Sequence, residues 1–343
     1  LRLMTGPTLA RLEGAAFDAA VAETDIFGRI TPEQKQQIVR SLRGQGRYVG
    51  MTGDGVNDVL ALKQANLGIA MQSGSNATRT VADMVLLDDS YAALTPALSE
   101  GKRIINGLTN ATYLLLARSF TYAFVIIGAL MAGLPFPVEP AQTGGTSLTV
   151  GLPALCLTFW ARPEARSEPL LRSLVRFVLP VAIWCMVVGV GVYAYVYFRT
   201  SEHMTDMVLP PRVIERFEQV TGLTYTSNAQ VGLTMARISS QTALSTFLTL
   251  CALLLLVFLE PPVQWLAVWR PVSPDRRPTW LAIGLIVLFL VGLQISPVGN
   301  YFGFAPLRGP MWRDILVGLV VWAVGLWLIW RYRLVDRLLT LEG

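Results

Sequence analysis

The sequence predicts an open parallel α/β sheet over residues 1–100, followed by an α-helical bundle of six membrane spans over residues 101–343. Three observations carry this. The 343 residues are 53% hydrophobic and only 15% charged, too apolar for an ordinary water-soluble domain. Polar and apolar residues are segregated. Acidic residues are densest before about residue 105, which also holds all three lysines (Lys35, Lys63, Lys102), and beyond it long apolar runs alternate with arginine-rich breaks. Within the first hundred residues, short apolar stretches alternate with helix-like ones, the pattern of a parallel sheet with crossover helices.

Taken in order, residues 1–22 are mixed, with a helix-like stretch from Ala16 to Ala22. Thr31-Pro32-Glu33 reads as a helix start, Thr as the cap and Pro at the first helical position. That helix runs to about Leu42, and Gly44-Gln45-Gly46 ends it. Tyr48-Val49-Gly50-Met51 is a strand leading to Asp54, and Val59 to Gln64 the next helix. Leu67 to Met71 is a strand, Ser73-Gly74-Ser75 turns into a helix through about Ala82, and Asp83 to Leu87 is a further strand. From Tyr91 to Asn110 a polar helix is positioned to run directly into the first span.

The chemistry is concentrated in the string Thr52-Gly53-Asp54-Gly55-Val56-Asn57-Asp58. A strand that ends in a glycine-bracketed Asp puts a carboxylate at the carboxyl edge of an open α/β sheet, where such folds bind ligands. Gly53 and Gly55 free the backbone to turn tightly and to approach a ligand closely. Asp54 and Asp58 offer the hard oxygens that Mg²⁺ prefers, and Asn57 adds a neutral polar group.

Apolar segments at about 111–133, 145–160, 174–198, 240–260, 280–297 and 312–331 are the six candidate spans, each to be compared with the roughly 20 residues that cross a bilayer. The second is short and is interrupted by Gly151 and Pro153, the kind of broken span that lines transport sites. Arginines follow the second span (Arg162, Arg166, Arg172), the fourth (Arg270, Arg276, Arg277) and the sixth (Arg331, Arg333, Arg337), while the break after the first has none. By the positive-inside rule these breaks, the soluble part and the C-terminus face the cytoplasm of a cell membrane. The loop of residues 199–239 is then external, its Arg199, Arg212, Arg216 and Arg237 offset by Glu202, Asp206, Glu215 and Glu218.

The arginines beside apolar runs account for the pI near 9.3 as membrane topology, so no nucleic-acid partner is expected. Cys156, Cys185 and Cys251 are isolated in apolar runs and read as small packing residues. The single histidine, His203, reads as a solvated loop residue between Glu202 and Asp206. Leu1 to Ala20 carries Arg2, Arg11, Glu13 and Asp18, so no cleavable signal peptide is expected there. Tyr113, Trp160, Trp312 and Trp330 fall near span ends and read as interface anchors. Arg118, about two turns into the first span, reads either as functional or as snorkelling to the interface.

The string from Thr52 to Lys63 resembles the hinge motif of P-type ion-pumping ATPases, members of the haloacid-dehalogenase-like phosphoryl-transfer group. Phe27-Gly28-Arg29-Ile30-Thr31-Pro32-Glu33-Gln34-Lys35 and Ala82-Asp83-Met84-Val85-Leu86-Leu87-Asp88-Asp89 resemble two further segments of that family, in the same order. The resemblance is close over residues 23–135 and rests on architecture beyond. It implies a haloacid-dehalogenase-like, Rossmann-like partial phosphorylation domain. It also implies an aspartyl-phosphate reaction with Mg²⁺ and ATP as cofactors, Lys35 and Thr52 against the phosphoryl group, and Asp54 and Asp58 as Mg²⁺ ligands. The family's nucleophile string DKTGT and its TGES loop do not occur in the 343 residues. The expectation is the C-terminal part of a pump, whose missing N-terminal part would be a partner and would bind most of the ATP.

The resemblance also frames the transport site. Aligned without gaps from Glu100-Gly101-Lys102, the ion-binding positions of the best-known calcium pumps in the first span fall on Ser119 and Tyr122, and matching Thr149-Val150-Gly151-Leu152-Pro153 to their TDGLP-like stretch puts those of the second on Thr146 and Val150. The second span reads T-x-G-x-P at Thr149-Val150-Gly151-Leu152-Pro153, as in a bacterial branch of cation pumps that includes calcium transporters. Calcium is therefore the first choice of ion. Neutral oxygens from Ser119, Thr146, Thr149 and Gln241, with carbonyls freed around Gly151 and Pro153, would hold it, because residues 111–133, 145–160, 174–198, 240–259 and 280–297 contain no Asp or Glu. Asp314, at the edge of the sixth span, is not expected to matter to the ion. Two rival readings stand beside this one: a catalytically inactive membrane remnant that binds a partner pump, and a membrane-tethered phosphatase. The phosphatase needs a nucleophile upstream of Lys35, for which Asp18 and Asp25 are the candidates.

Overall fold

The computed structural model describes residues 1–145, 147–163, 169–205, 211, 214–215, 218, 224–307 and 309–338. Thr146, Arg166, Asp206, Arg212 and Arg216, all named above, lie outside the described residues. Contacts divide the chain into two compact units, Leu1–Glu100 and Gly101–Gly343.

In the first unit, β1 (Leu3–Thr5) pairs in parallel with β2 (Ile26–Gly28), and α1 (Gly14–Glu23) connects them. The mixed composition of residues 1–22 concealed β1, and Phe27-Gly28 is strand. A second parallel sheet has the order β3-β4-β5, with β3 at Gly50–Gly53, β4 at Leu67–Met71 and β5 at Met84–Leu86. The strand–helix alternation thus gives two small parallel sheets among the described residues rather than one. Tyr48 stays outside β3 and is 80% exposed. Leu9, Val21 and Ile38 form a buried core against which Phe17, Phe27, Ile30 and Leu42 pack.

The helix expected after Thr31 is α2, Pro32–Gly44. Its start is fixed by a reciprocal cap: the Gln34 amide donates to Thr31 Oγ1 and the Thr31 amide to Gln34 Oε1. Two shorter helices complete the unit, α3 (Val59–Gln64) and α4 (Asn76–Val81), the latter capped by Ser75.

The second unit is helical. Five helices are long and apolar enough to cross a membrane, by length and composition, among the described residues. They are α5 (Leu94–Met131), α7 (Leu170–Thr205), α8 (Asn228–Leu259), α9 (Arg277–Gln294) and α10 (Gly309–Arg331), with the short α6 (Leu152–Trp160) after the first. Five of the six expected segments are thus long helices, and the second, expected to be short and interrupted, is not one of them. The segment 145–160 is broken: a 3₁₀ stretch at Pro140–Gly145, a π-helical turn at Ser147–Gly151, then the nine residues of α6. Pro153 forces part of this, because a proline inside a longer helix would remove a backbone donor.

His203 falls within α7 rather than in a loop. The polar stretch Ser239–Thr246, which made the fourth span uncertain at its start, lies within α8, where Ser239 is half-buried and the side chains from Ser240 on are buried. Tyr113 and Trp330, expected near span ends as interface anchors, are buried within the second unit. Tyr113 is fully buried, and Trp330 stacks on Phe177 with ring centroids 5.3 Å apart. Cys185 and Cys251 are buried and unpaired, as packing residues are.

Candidate functional site

The sequence string closes into a compact site at the carboxyl end of β3. Asp54 follows the strand directly and is exposed, while Asp58 is buried at the first turn before α3. Lys35 reaches across from the first turn of α2, and its Nζ donates to Asp58 Oδ1 at 2.6 Å. The Lys35 side chain is 34% exposed and that of Asp58 is 9% exposed. The ammonium therefore faces solvent on one side while a buried carboxylate fixes it on the other.

The loop carrying Asp54 is pinned from α4. The Ser75 amide donates to the Asp54 carbonyl at 2.8 Å, and Thr78 Oγ1 donates to the same oxygen at 3.1 Å. Two glycines make room for this. A Cβ on Gly53 would lie 2.5 Å from Asp58 Cβ, and a Cβ on Gly74 would lie 2.8 Å from the Asp54 carbonyl oxygen. Gly55 differs from its expected role. Its backbone is extended at φ −99°, and nothing crowds its absent side chain closer than 3.9 Å. Thr52 is half-buried within β3, and Asn57 is exposed. Beside this loop the Ser73 amide donates to both carboxylate oxygens of Asp89, which holds that carboxyl below its ordinary pKa.

Asp54 fits a Mg²⁺ ligand. Its carboxylate is open to solvent on a backbone pinned at its own carbonyl, and Mg²⁺ is commonly bound by one or two carboxylates, with waters and phosphate completing its shell. Asp58 is engaged by Lys35, so it serves that ammonium first. Of the rival nucleophile candidates, Asp18 accepts from Ser41 Oγ at 2.5 Å, and Asp25 accepts from the Arg2 amide at 2.9 Å.

In the second unit the described members of the predicted ion-ligand set, Ser119, Thr149, Pro153 and Gln241, do not share one cluster. Ser119 is exposed, and its hydroxyl bonds back to the Leu115 carbonyl within α5. Thr149 is buried in the π-helical turn, and Pro153 is buried in the first turn of α6. Thr149 lines a cavity of about 30 Å³ with Thr121, Arg118 and Tyr122. Arg118 does not snorkel away. Its Nη2 donates to the Tyr122 hydroxyl at 3.0 Å, and its guanidinium carbon lies 4.6 Å from that ring's centroid.

Gln241 belongs to a different group, donating to the Phe136 carbonyl at 2.9 Å. Beside it Gln142 donates to the Gly303 carbonyl at 2.9 Å and accepts from Ser245 Oγ at 2.5 Å, while Thr242 Oγ1 accepts from the Ala305 amide. Sequence reasoning missed Gln142, which is 4% exposed in the break before the π-helical turn. An amide flanked by Pro140 and Gly144-Gly145 was the available signal. Asp314 is paired with Arg199 from α7, a partner the sequence did not suggest.

No family model matches the chain. Sequence relatives do. The chain is 37% identical over 151 residues to a probable cation-transporting ATPase F of Mycobacterium bovis, covering 44% of this chain and 17% of that protein. It is 39% identical over 169 residues to the calcium-transporting ATPase CtpE of Mycolicibacterium smegmatis, covering 46% and 21%. It is 39% identical over 141 residues to calcium-transporting ATPase 1 of the yeast Yarrowia lipolytica, covering 41% and 15%. The matched stretch is thus 15% to 21% of the length of these three relatives. Over less than half of its length the chain is therefore similar to part of the cation- and calcium-transporting ATPases of bacteria and yeast.

Proposed function

We propose that the chain is the C-terminal portion of an ATP-driven cation pump that works through an aspartyl phosphate in a cell membrane. One observation carries the reading: the Lys35 ammonium, held at 2.6 Å by buried Asp58, stands in the same small domain as the Asp54 loop. Phosphoryl transfer to a carboxylate concentrates negative charge on the transferring oxygens, and fixed positive charge lowers that barrier. Lys35 supplies such a charge. Asp58 aims the ammonium, and Thr52 stands as a hydroxyl donor toward the phosphoryl group. Asp54, with Asn57 and Asp58 as neighbouring oxygens, would hold Mg²⁺, which supplies further neutralisation of the phosphoryl oxygens.

Residues 1–100 then act as part of a haloacid-dehalogenase-like phosphorylation domain and residues 101–343 as the membrane domain. The segment 145–160 completes six spans in this reading, as a helix broken at Ser147–Gly151 rather than a continuous one. The arginine-rich breaks put the soluble unit and the C-terminus in the cytoplasm. Helix α5 extends over 38 residues without interruption, which suits a lever between phosphorylation and the spans. Calcium is the first choice of transported ion, supported by the names of the relatives and by the T-x-G-x-P break. The pump reading is favoured over a membrane-tethered phosphatase because neither Asp18 nor Asp25 sits in a DxD or DKT string. It is favoured over an inactive remnant because the Lys35–Asp58–Asp54 constellation is intact.

The test is phosphoenzyme formation in a complete pump carrying this segment. Asp54→Asn is expected to lower ATP-dependent phosphorylation by about 100-fold or more, the scale of losing one essential electrostatic partner. Unchanged phosphorylation in that variant overturns the reading.

A further inference from the structure

A cavity lined wholly by residues of the second unit takes no part in the proposed reaction. It occupies about 550 Å³ within the second unit, a volume in the range of small-molecule sites. Its walls come from one end of several helices: Trp160 closes α6, Arg176 is in the second turn of α7, Glu260 follows α8, Pro278 opens α9 and Trp330 is in the last turn of α10. The ends of membrane-spanning helices lie where a bilayer's headgroups meet its hydrocarbon.

The lining is rich in donors. Four guanidinium groups, those of Arg162, Arg176, Arg270 and Arg333, face two carboxylates, so the described lining carries a net charge of +2. Both carboxylates are already engaged. Asp275 is hydrogen-bonded by Arg277 at 2.7 Å, and its carboxyl is held below its ordinary pKa by those bonds first, with the Arg162 charge adding to the effect. Glu260 has Arg270 at 3.8 Å and accepts from the Asn110 amide at 3.4 Å. The indole N–H groups of Trp269 and Trp330, two further lining residues, are buried and have no hydrogen-bond partner among the described residues. Trp330 is itself 6% exposed. Indole and guanidinium groups donate and never accept. The lining therefore calls for a ligand that brings negative charge and several acceptor oxygens. Leu157, Ile329 and Val335 line the same space and give it an apolar side.

We infer that this cavity binds the phosphate group of an acidic phospholipid. Guanidinium groups take phosphate oxygens in paired hydrogen bonds, the indole N–H groups take the remaining acceptors, and the apolar wall receives the start of an acyl chain. Arg333, exposed at the rim, is placed to meet the headgroup first.

The experiment uses the full chain in neutral detergent, titrated with phosphatidylglycerol or phosphatidylcholine and followed by native mass spectrometry and tryptophan fluorescence. The expected result is saturable phosphatidylglycerol binding at least tenfold tighter than phosphatidylcholine. The Arg162→Gln/Arg333→Gln double variant should reduce it at least fivefold. Trp330→Phe, which keeps the ring and removes the N–H, provides an independent variant and should weaken it about threefold. Glycerol phosphate and inorganic phosphate form the second arm. Displacement only at far higher concentration than the lipid supports a lipid site, whereas displacement at equal concentration overturns the lipid source. Equal binding of the two lipids, or binding unchanged in both variants, overturns the proposal. These readouts do not involve phosphoenzyme, so they stand or fall separately from the pump reading.

Discussion

The two units handle polar groups in opposite ways. In Leu1–Glu100, charge is concentrated at one point: Lys35 against Asp58, with Asp54 exposed nearby. In Gly101–Gly343, the deep polar groups are mostly neutral hydroxyls and amides that satisfy one another, as Gln142 does with Ser245 and Gly303. The difference is one of solvent. A charged site beside water pays a modest desolvation cost, whereas a charge within the hydrocarbon region costs several kcal/mol or more. The charged groups in the second unit follow the same rule: Arg118 lies against Tyr122, and Asp314 is paired with Arg199.

A second contrast lies within the second unit. Helix α8 has 83% of its apolar window buried, while α9 has 17%. Both are apolar enough to span a membrane, and apolarity alone does not distinguish them, because lipid tails receive leucine as readily as another helix does. The buried helix is the one that carries Ser240, Gln241, Thr242, Ser245, Thr246 and Thr249. Hydroxyl and amide groups mark the interior here, and apolar ones do not.

The sharpest way to break the contrast between units is at Lys35. In a complete pump, Lys35→Ala is expected to cut phosphoenzyme formation by about 100-fold or more while membrane insertion, measured by fractionation, stays unchanged. A phosphoenzyme level near wild type would show that the concentrated charge is structural only. Gly53→Ala should come next. Its Cβ would fall 2.5 Å from Asp58 Cβ, an overpacking expected to cost about 1–3 kcal/mol and to lower the first unfolding transition in calorimetry. Gly55→Ala, in open surroundings at ordinary φ, should leave that transition in place.

In the second unit, Gln142→Leu removes an acceptor from Ser245 and a donor from Gly303, at a cost of about 1–3 kcal/mol. Ser119→Ala, on an exposed face of α5, should cost little, and unfolding in detergent would compare the two. A larger loss at Ser119 than at Gln142 would reverse the assignment of interior and exterior. The smallest effect concerns Asp275, whose carboxyl is lowered by Arg277. A depressed carboxyl contributes stability that is complete above its unfolded value of about 3.9 and is lost as pH falls through the lower folded one. The unfolding difference between wild type and Asp275→Asn should therefore be flat from pH 8 down to about pH 5 and shrink below it.

Much of the phosphate site was legible because its chemistry is local. Thr31-Pro32 with Gln34 specifies a helix start within four residues, and that start sets Lys35 one turn in. Thr52 to Asp58 puts two carboxylates on one loop whatever surrounds it. The partner of each group was not legible. Nothing within either segment says that Lys35 meets Asp58, 23 residues away, instead of leaving it free beside Asp54. The transport-site candidates fared differently. Ser119, Thr149 and Gln241 are all neutral and polar within apolar segments, but which way each faces depends on how its helix is rotated, and rotation in a membrane follows from packing.

The sequence by itself determined the division into a charged α/β unit and an apolar helical one, the caps of α2, the carboxylate loop and the break around Gly151 and Pro153. These follow from composition, local hydrogen bonding and backbone restriction, which act over a few residues. Only the tertiary structure decided that the parallel strands form two sheets, that Gln142 serves the interior while Ser119 faces outward, and that four arginines and two indoles gather around one cavity. Those outcomes depend on contacts between residues that may be more than a hundred positions apart, whose free energies exist only once the helices have packed.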